Sequence, residues 1–194
     1  MLYTHTAFSQ AIFQMFENLD SWLTQNYDDL PHNAVTVYLF GGCAFHLHTG
    51  ARTSNDVDAE LKKLNNLTFP EIVIQPVFFK DEKGFRKGLF FDGNFDTSLA
   101  SLDPSYDERA IFLYTTQSKL VSLFLVSAVD LAVSKLGRFE INDRSDIKTL
   151  YQQGLFTEQE FIDTANEALS YYPVRPDGLL FNIRQALNLI REEQ

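Results

Sequence analysis

Two carboxylates separated by a single residue, Asp56 and Asp58 in Asn55-Asp56-Val57-Asp58-Ala59, are the residues of this sequence best arranged for chemistry. On an extended strand side chains alternate between faces, so residues i and i+2 project from the same side and can grip one divalent cation together. Mg²⁺ suits such a pair, and Mn²⁺ takes the same donors: the ion accepts hard oxygen ligands, keeps several waters and completes its shell with substrate phosphates. A second metal ion would need a third carboxylate. Upstream, Gly41-Gly42 supplies what a phosphate chain requires, because residues without side chains let the backbone approach and point its N–H groups at phosphate oxygens. A helix beginning at Cys43 would add its N-terminal dipole to the same spot. Taken singly, a Gly-Gly pair is usually a turn and an Asp-x-Asp pair is common. Their joint spacing carries the information.

A strand ending in Gly-Gly, a short helix and then a strand bearing Asp-x-Asp resembles the defining motif of the DNA polymerase β nucleotidyltransferase superfamily. The fuller pattern, with Ala44, Arg52, Thr53, Asp56, Val57 and Asp58, is similar to the small bacterial branch that includes AbiEii-type toxins of toxin-antitoxin systems. A downstream block, Asp130-Leu131-Ala132-Val133-Ser134-Lys135-Leu136-Gly137-Arg138 followed by Asp143-Arg144-Ser145-Asp146-Ile147, resembles the lysine and aspartate motif of that branch. The resemblance runs from about Val35 to Leu150 and is more specific for the fold than for activity. It implies that Asp56 and Asp58 bind Mg²⁺ bridging the phosphates of an NTP, and that the metal orients an in-line attack and neutralises the leaving pyrophosphate.

The same resemblance implies that Gly41, Gly42, Arg52 and Thr53 surround the nucleotide, while the spacing of the histidines on a short helix puts His46 near the phosphate pocket and leaves His48 packed or solvated. Arg52 would clamp phosphate with a fork of donors, and Lys135 would meet it as a point charge. Asp146 would either hold Lys135 in place or approach the acceptor. Each has a plainer alternative: Arg52 and Lys135 as surface ion-pair partners, Asp146 as a helix-face carboxylate near Arg144 and Lys148, Asp143 as a first-turn acid favoured by the helix dipole. The superfamily's third acid has no clear counterpart. Asp92 and Asp96 are candidates, but Asp92-Gly93-Asn94 also reads as an ordinary turn, and a third acid could be absent. His46 and His48, at i,i+2 on a short helix, point to different faces and do not read as a metal pair.

The elements that must position these groups follow from pattern. Phe8, Ile12, Phe16, Leu19 and Leu23 recur at helical spacing, so Ala7 to Tyr27 reads as an amphipathic helix capped by Thr6. Val35 to Phe40 is a strand, Cys43 to His48 a short helix, and a second strand is expected around Val57-Asp58-Ala59. The run Glu71 to Phe79 is β-rich but interrupted by Pro76. Asp81 to Gly84 reverses the chain into Gly88-Leu89-Phe90-Phe91, and Ala110 to Tyr114 pairs with Leu120 to Val126 across a polar turn. Beyond Ser127 the pattern is helical: Ala128 to Arg138; Asp143 to Gln152, capped by Asn142 and stopped by Gly154; a helix opened by Thr157 and Glu160; and one opened by Pro176.

The expected fold is therefore α/β (α+β): a small mixed sheet with an N-terminal helix across it in residues 1–126, and a C-terminal helical cap in residues 127–194 closing a nucleotide cleft. With 45% hydrophobic and 22% charged residues among 194, the chain is a globular protein and not a disordered one. It offers no run of about 18 apolar residues and no cationic, apolar leader, so no membrane association is expected. Its single cysteine, Cys43, fits a reducing cytoplasm. A net charge of −10 opposes coating of nucleic acid by electrostatics alone and disfavours a DNA-binding repressor. Lys80, Lys83, Arg86 and Lys87 cluster around one turn and read as a solvated hairpin tip. Phe45, Phe78, Phe79, Phe90 and Phe91 are core material by default, although a purine could stack on one. The function expected is Mg²⁺-dependent transfer of a nucleoside monophosphate from an NTP to an acceptor, RNA or protein, in a protein that pairs with a cognate toxin or antitoxin. The alternative is a catalytically silent nucleotidyltransferase-like module that binds a partner protein.

Overall fold

A computed structural model describes residues 1–64, 72–172 and 176–192. The chain divides into two compact units, Met1–Phe95 with Ile111–Leu125, and Asp96–Ala110 with Val126–Gln194. It is an α+β protein with mixed sheets, as the alternation of apolar runs and helical stripes implies.

In the first unit, helix α1 (Ala7–Asn26) buries Phe8, Ile12, Met15, Phe16, Leu19 and Leu23, the stripe legible in the sequence. Thr6 caps it by accepting the Ser9 N–H at 3.1 Å. Strand β1 (Val35–Leu39) is central, lying parallel to β7 (Val121–Leu125) and antiparallel to β3 (Ala59–Lys63), which explains why it reads as an unbroken β-rich run. Strand β6 (Ile111–Thr115) completes the order β3-β1-β7-β6 and forms the expected hairpin with β7. A second sheet, β2-β5-β4, joins β2 (Asp56–Val57) parallel to β5 (Arg86–Phe91), and β5 antiparallel to β4 (Val77–Lys80). The reversal at Asp81 to Gly84 is formed as expected. Strand β4 starts at Val77, however, and residues 72–76 lie outside any strand, because Pro76 has no N–H to give a ladder. Glu71 lies outside the described residues.

A buried carboxylate ties α1 to the β6–β7 hairpin. Asp20 accepts the Thr116 hydroxyl at 2.7 Å, the Ser118 N–H at 3.0 Å and the Leu120 N–H at 3.2 Å. The Leu120 N–H would otherwise be buried without an acceptor.

The second unit packs helices α3 (Ala128–Ser134), α4 (Ile141–Gln152), α5 (Glu158–Tyr171) and α6 (Pro176–Arg191) around Leu131, Ile147, Leu150, Phe161, Leu179, Ile183 and Ile190. The starts at Ser127, Thr157 and Pro176 fall where the sequence puts them, but two other limits differ. Helix α3 ends at Ser134 and not at Arg138: the Leu136 N–H takes the i−3 carbonyl of Val133, and the Gly137 N–H goes to the Ser101 hydroxyl. Helix α4 is capped by Glu140 and not by Asn142, since the Asp143 carboxylate accepts the Glu140 N–H and closes a capping box. No helix among the described residues is long and apolar enough to cross a membrane.

Asp20→Ala should leave the buried Leu120 N–H without its acceptor and remove the bonds to Thr116 and Ser118, at a cost of about 1–3 kcal/mol. Urea denaturation checks this, with Asp20→Asn expected to recover part of the loss.

Candidate functional site

The chain turns sharply between β1 and helix α2 (Gly41–Thr49), with Gly41 at φ +55°. A side chain at Gly41 would fall inside the Asp58 carboxylate, and one at Gly42 would come within 2.6 Å of Ser54 and 3.3 Å of the Arg52 guanidinium. Glycine at both positions is what lets an acid and a guanidinium close over the start of α2. Residue 40, the N-cap, contributes no side-chain hydrogen bond, and the first turn carries no acid, so the helix start is left to backbone donors. The helix is longer than the Cys43 to His48 segment expected because its first turn is formed by the glycines themselves.

Asp58 is the one residue between β2 and β3, so the chain passes from one sheet to the other there. Its carbonyl accepts the Phe40 N–H at 2.8 Å, which locks it beside the β1–α2 turn. Asp56 is exposed, and its N–H is taken by the Ser54 hydroxyl at 3.2 Å. Both carboxylates and Arg52 act on Cys43. Burial pushes its thiol well above the usual range, Asp58 and Asp56 push it further, and Arg52 opposes them. Cys43 is therefore an unreactive floor of the site, its thiol hydrogen-bonded to the Asp56 carbonyl at 3.4 Å. The guanidinium of Arg52 also lies 5.2 Å over the Phe45 ring. Thr53 is exposed on the same loop. Ser54 sets the Asp56 backbone and crowds Gly42, and the sequence reading passed over it; its place just ahead of Asp56 was the available signal.

His46 corrects an expectation. It is not turned to the glycines but is buried against α1, with Nδ1 donating to the Ala51 carbonyl at 3.0 Å and Nε2 bonded to the Thr6 hydroxyl at 2.8 Å. Phe8 packs edge-on to it at 4.9 Å. Its ring ties the start of the Arg52 loop to the N-terminus of α1.

The two candidate third acids separate. The Asp92 N–H bonds to the Val57 carbonyl at 3.0 Å, extending the β2–β5 ladder, while its carboxylate accepts the Asn94 N–H at 2.9 Å as an ordinary turn would. Asp96 belongs to the other unit and caps a 3₁₀ turn by accepting the Ser98 N–H at 2.8 Å; the Ser98 hydroxyl first, and this N–H second, hold its carboxyl below the usual range. Among the described residues, no three His, Cys, Asp or Glu side chains form a cluster that could hold a metal ion.

In the helical unit, Lys135 is 7% exposed, with Nζ 2.7 Å from Asp146 and 3.7 Å from Asp143. Asp146 is thus in contact with Lys135, as one of its two expected roles requires. Asp143 is also gripped by Arg138 through two bonds of 2.9 Å. Burial resists its charge, but Arg138, the Glu140 N–H and Lys135 together outweigh it and hold the carboxyl below the usual range. This acid does more than favour a helix dipole: it is the hub of a buried charge network.

The family model described as "Nucleotidyltransferase of unknown function (DUF6036)" matches residues 10–156, more than half of the chain, and takes in both motif blocks. The chain belongs to that family. Neither a curated protein nor a solved structure matches it.

Gly41→Ala should destabilise the fold by about 1–2 kcal/mol from the left-handed backbone alone, and by more through displacement of Asp58; thermal unfolding measures it. The depressed Asp143 carboxyl contributes stability that is fully present above its unfolded value of about 3.9 and lost as pH falls through its lower folded value. Urea midpoints followed from about pH 6 to about pH 2 should therefore fall at the acid end, and Asp143→Asn should flatten that limb.

Proposed function

We propose that, as a member of this nucleotidyltransferase family, the chain transfers a nucleoside monophosphate from an NTP to an acceptor at the site formed by Gly41, Gly42, Arg52, Asp56 and Asp58. The observation that carries this reading is the close approach of Asp58 to Gly41, which sets a carboxylate beside the start of α2. An acid stands beside Gly41 and a guanidinium beside Gly42.

The donor set fits Mg²⁺ or Mn²⁺. Two hard carboxylate oxygens supply part of an octahedron, and an ion that keeps water and takes phosphate oxygens needs no more from the protein. When bound, the ion would supply charge neutralisation for the phosphates. The protein's own part is positional. Backbone N–H groups at Gly41 and Gly42 orient the phosphate chain, and the missing side chains of the two glycines leave their places to Asp58, Ser54 and Arg52. Arg52 offers a planar fork of donors to the same phosphates, its orientation set by Phe45 beneath it. Thr53 adds a hydroxyl on the same loop. Ser54 fixes the backbone that carries Asp56. Asp92, at the end of the strand paired with β2, is our choice for a third carboxylate, which would have to leave its bond to Asn94 to reach a metal ion. Lys135 and Asp146 enter as a positioning pair that holds the helical unit in shape. His46 acts as a brace for the Arg52 loop.

The resemblance of both motif blocks to AbiEii-type toxins supports a toxin-antitoxin setting for this activity, with a cognate protein as partner. Expression should then arrest growth of a bacterial host, and Asp58→Asn should abolish the arrest.

Incubation with each radiolabelled NTP, Mg²⁺ or Mn²⁺ and a cell extract should transfer label to one class of acceptor. Asp56→Ala and Asp58→Asn should each lower transfer at least about a hundredfold if the pair holds the metal, whereas Asp92→Asn should lower it by a similar factor only if a third carboxylate takes part. Mg-NTP binding without transfer to any fraction would instead support a silent, partner-binding module. No binding and no transfer would end both the metal and the nucleotide assignments.

A further inference from the structure

The outer face of the β2-β5-β4 sheet carries aromatic rings and cations where a solvated hairpin would carry neither in order. By alternation Phe78 and Lys80 of β4 share one face, and the register sets Gly88 and Arg86 of β5 directly across from them. Phe78 is 56% exposed and Phe90 46% exposed. The expectation that both are core residues fails, whereas Phe79, on the opposite face, does pack on Phe8 of α1. Two large exposed rings side by side are costly in water unless something covers them.

The face is built, not incidental. Phe78 and Phe90 meet edge-to-face at 6.2 Å between ring centroids. Gly88 lies between them, and a side chain there would come within 2.9 Å of Phe90 and 3.2 Å of Phe78, so this glycine is what gives the rings room. The guanidinium of Arg86 sits 5.0 Å over the Phe78 ring, and Lys80 is paired beside Arg86. At the other end, Asp56 pairs in parallel register with Phe90, so Phe90 stands next to the strand that carries the candidate metal ligand, on the same face.

We propose that this face binds a single-stranded nucleic acid, RNA in the first instance, as the acceptor of the nucleotidyl transfer, with bases stacked on Phe90 and Phe78 and the backbone phosphates met by Arg86 and Lys80. Bases expose π-faces only when unpaired, and aromatic rings interleaved with cations are the chemistry that recognises such a strand without reading its sequence. An aromatic partner helix would satisfy the rings but leave Arg86 and Lys80 unmatched, and a duplex would satisfy the cations but hide its bases. The chain's −10 charge does not forbid it, because at physiological salt charges more than about 8 Å away are largely screened and local cations decide. The acceptor assignment rests on the transferase reading above, but the binding face stands on its own geometry.

The test uses the full chain and a labelled single-stranded RNA of about ten nucleotides, with a duplex of the same sequence, by fluorescence anisotropy without NTP. The single strand should bind more tightly than the duplex. Phe78→Ala and Phe90→Ala should each weaken binding about five- to a hundredfold, with Phe90→Tyr keeping most of it. Arg86→Ala should weaken binding and lower the salt slope by about 0.7 between about 50 and 200 mM salt. Circular dichroism of each variant separates unfolding from lost contact, and these exposed positions should leave the spectrum unchanged. No single-strand binding by the wild type, or equal binding of duplex with the phenylalanine variants unaffected, would overturn the proposal. Because NTP is absent, an RNA-binding chain that transfers nothing sinks the enzymatic reading alone, and transfer to a protein without RNA binding sinks this one alone.

Discussion

Everything about the candidate site follows from the contact between Gly41 and Asp58. The Asp58 carboxylate occupies the volume that any other residue at position 41 would fill, and Gly41 holds a left-handed backbone angle that other residues adopt at a cost. That contact exists because β1 pairs with β3 up to Leu39 opposite Ala59, which brings residue 58 level with the turn after the strand. The Phe40 N–H to the Asp58 carbonyl completes the closure. The Asp58 carboxylate and the start of α2 are thus one feature, made by one pairing register.

Buried polar groups elsewhere act in the same way, as fasteners between distant segments. Asp20 joins α1 to a hairpin almost a hundred residues later, and His46 joins α1 to the loop that bears Arg52. In the helical unit, Asp130 accepts Arg109 at 2.6 Å and 3.1 Å, and Asp103 accepts the same guanidinium at 2.7 Å. Such groups add little net stability relative to apolar packing, but removing one partner leaves the other buried and unsatisfied. They specify which segments meet. Lys135 belongs to this class, its ammonium enclosed by two carboxylates and nearly closed to solvent.

The β4–β5 hairpin shows the opposite economy, with apolar rings outside and glycine between them. Its inner face, through Phe79 and Leu89, secures the sheet. Its outer face, ending beside Asp56, has no packing role among the described residues that would account for two exposed phenylalanines. The rings stand next to the carboxylate strand, so the sheet has one side that packs on α1 and one that faces outward.

The elements, their order and most of their limits were legible in the sequence, because hydrophobic period, glycine, proline and capping residues act over a few positions. The Asp56–Asp58 pair, the glycine turn, the α1 stripe and the helix starts at Ser127, Thr157 and Pro176 are all of this local kind, and the membership of a nucleotidyltransferase family could be read from the two motif blocks. What tertiary structure decided was direction and partnership. That His46 faces α1, that Asp92 ends beside Val57, and that Phe78 and Phe90 point outward all depend on strand register and on which face a neighbour covers. A one-residue shift in pairing exchanges the two faces of a strand while leaving its composition and spacing unchanged, so no local pattern in the sequence could have settled them.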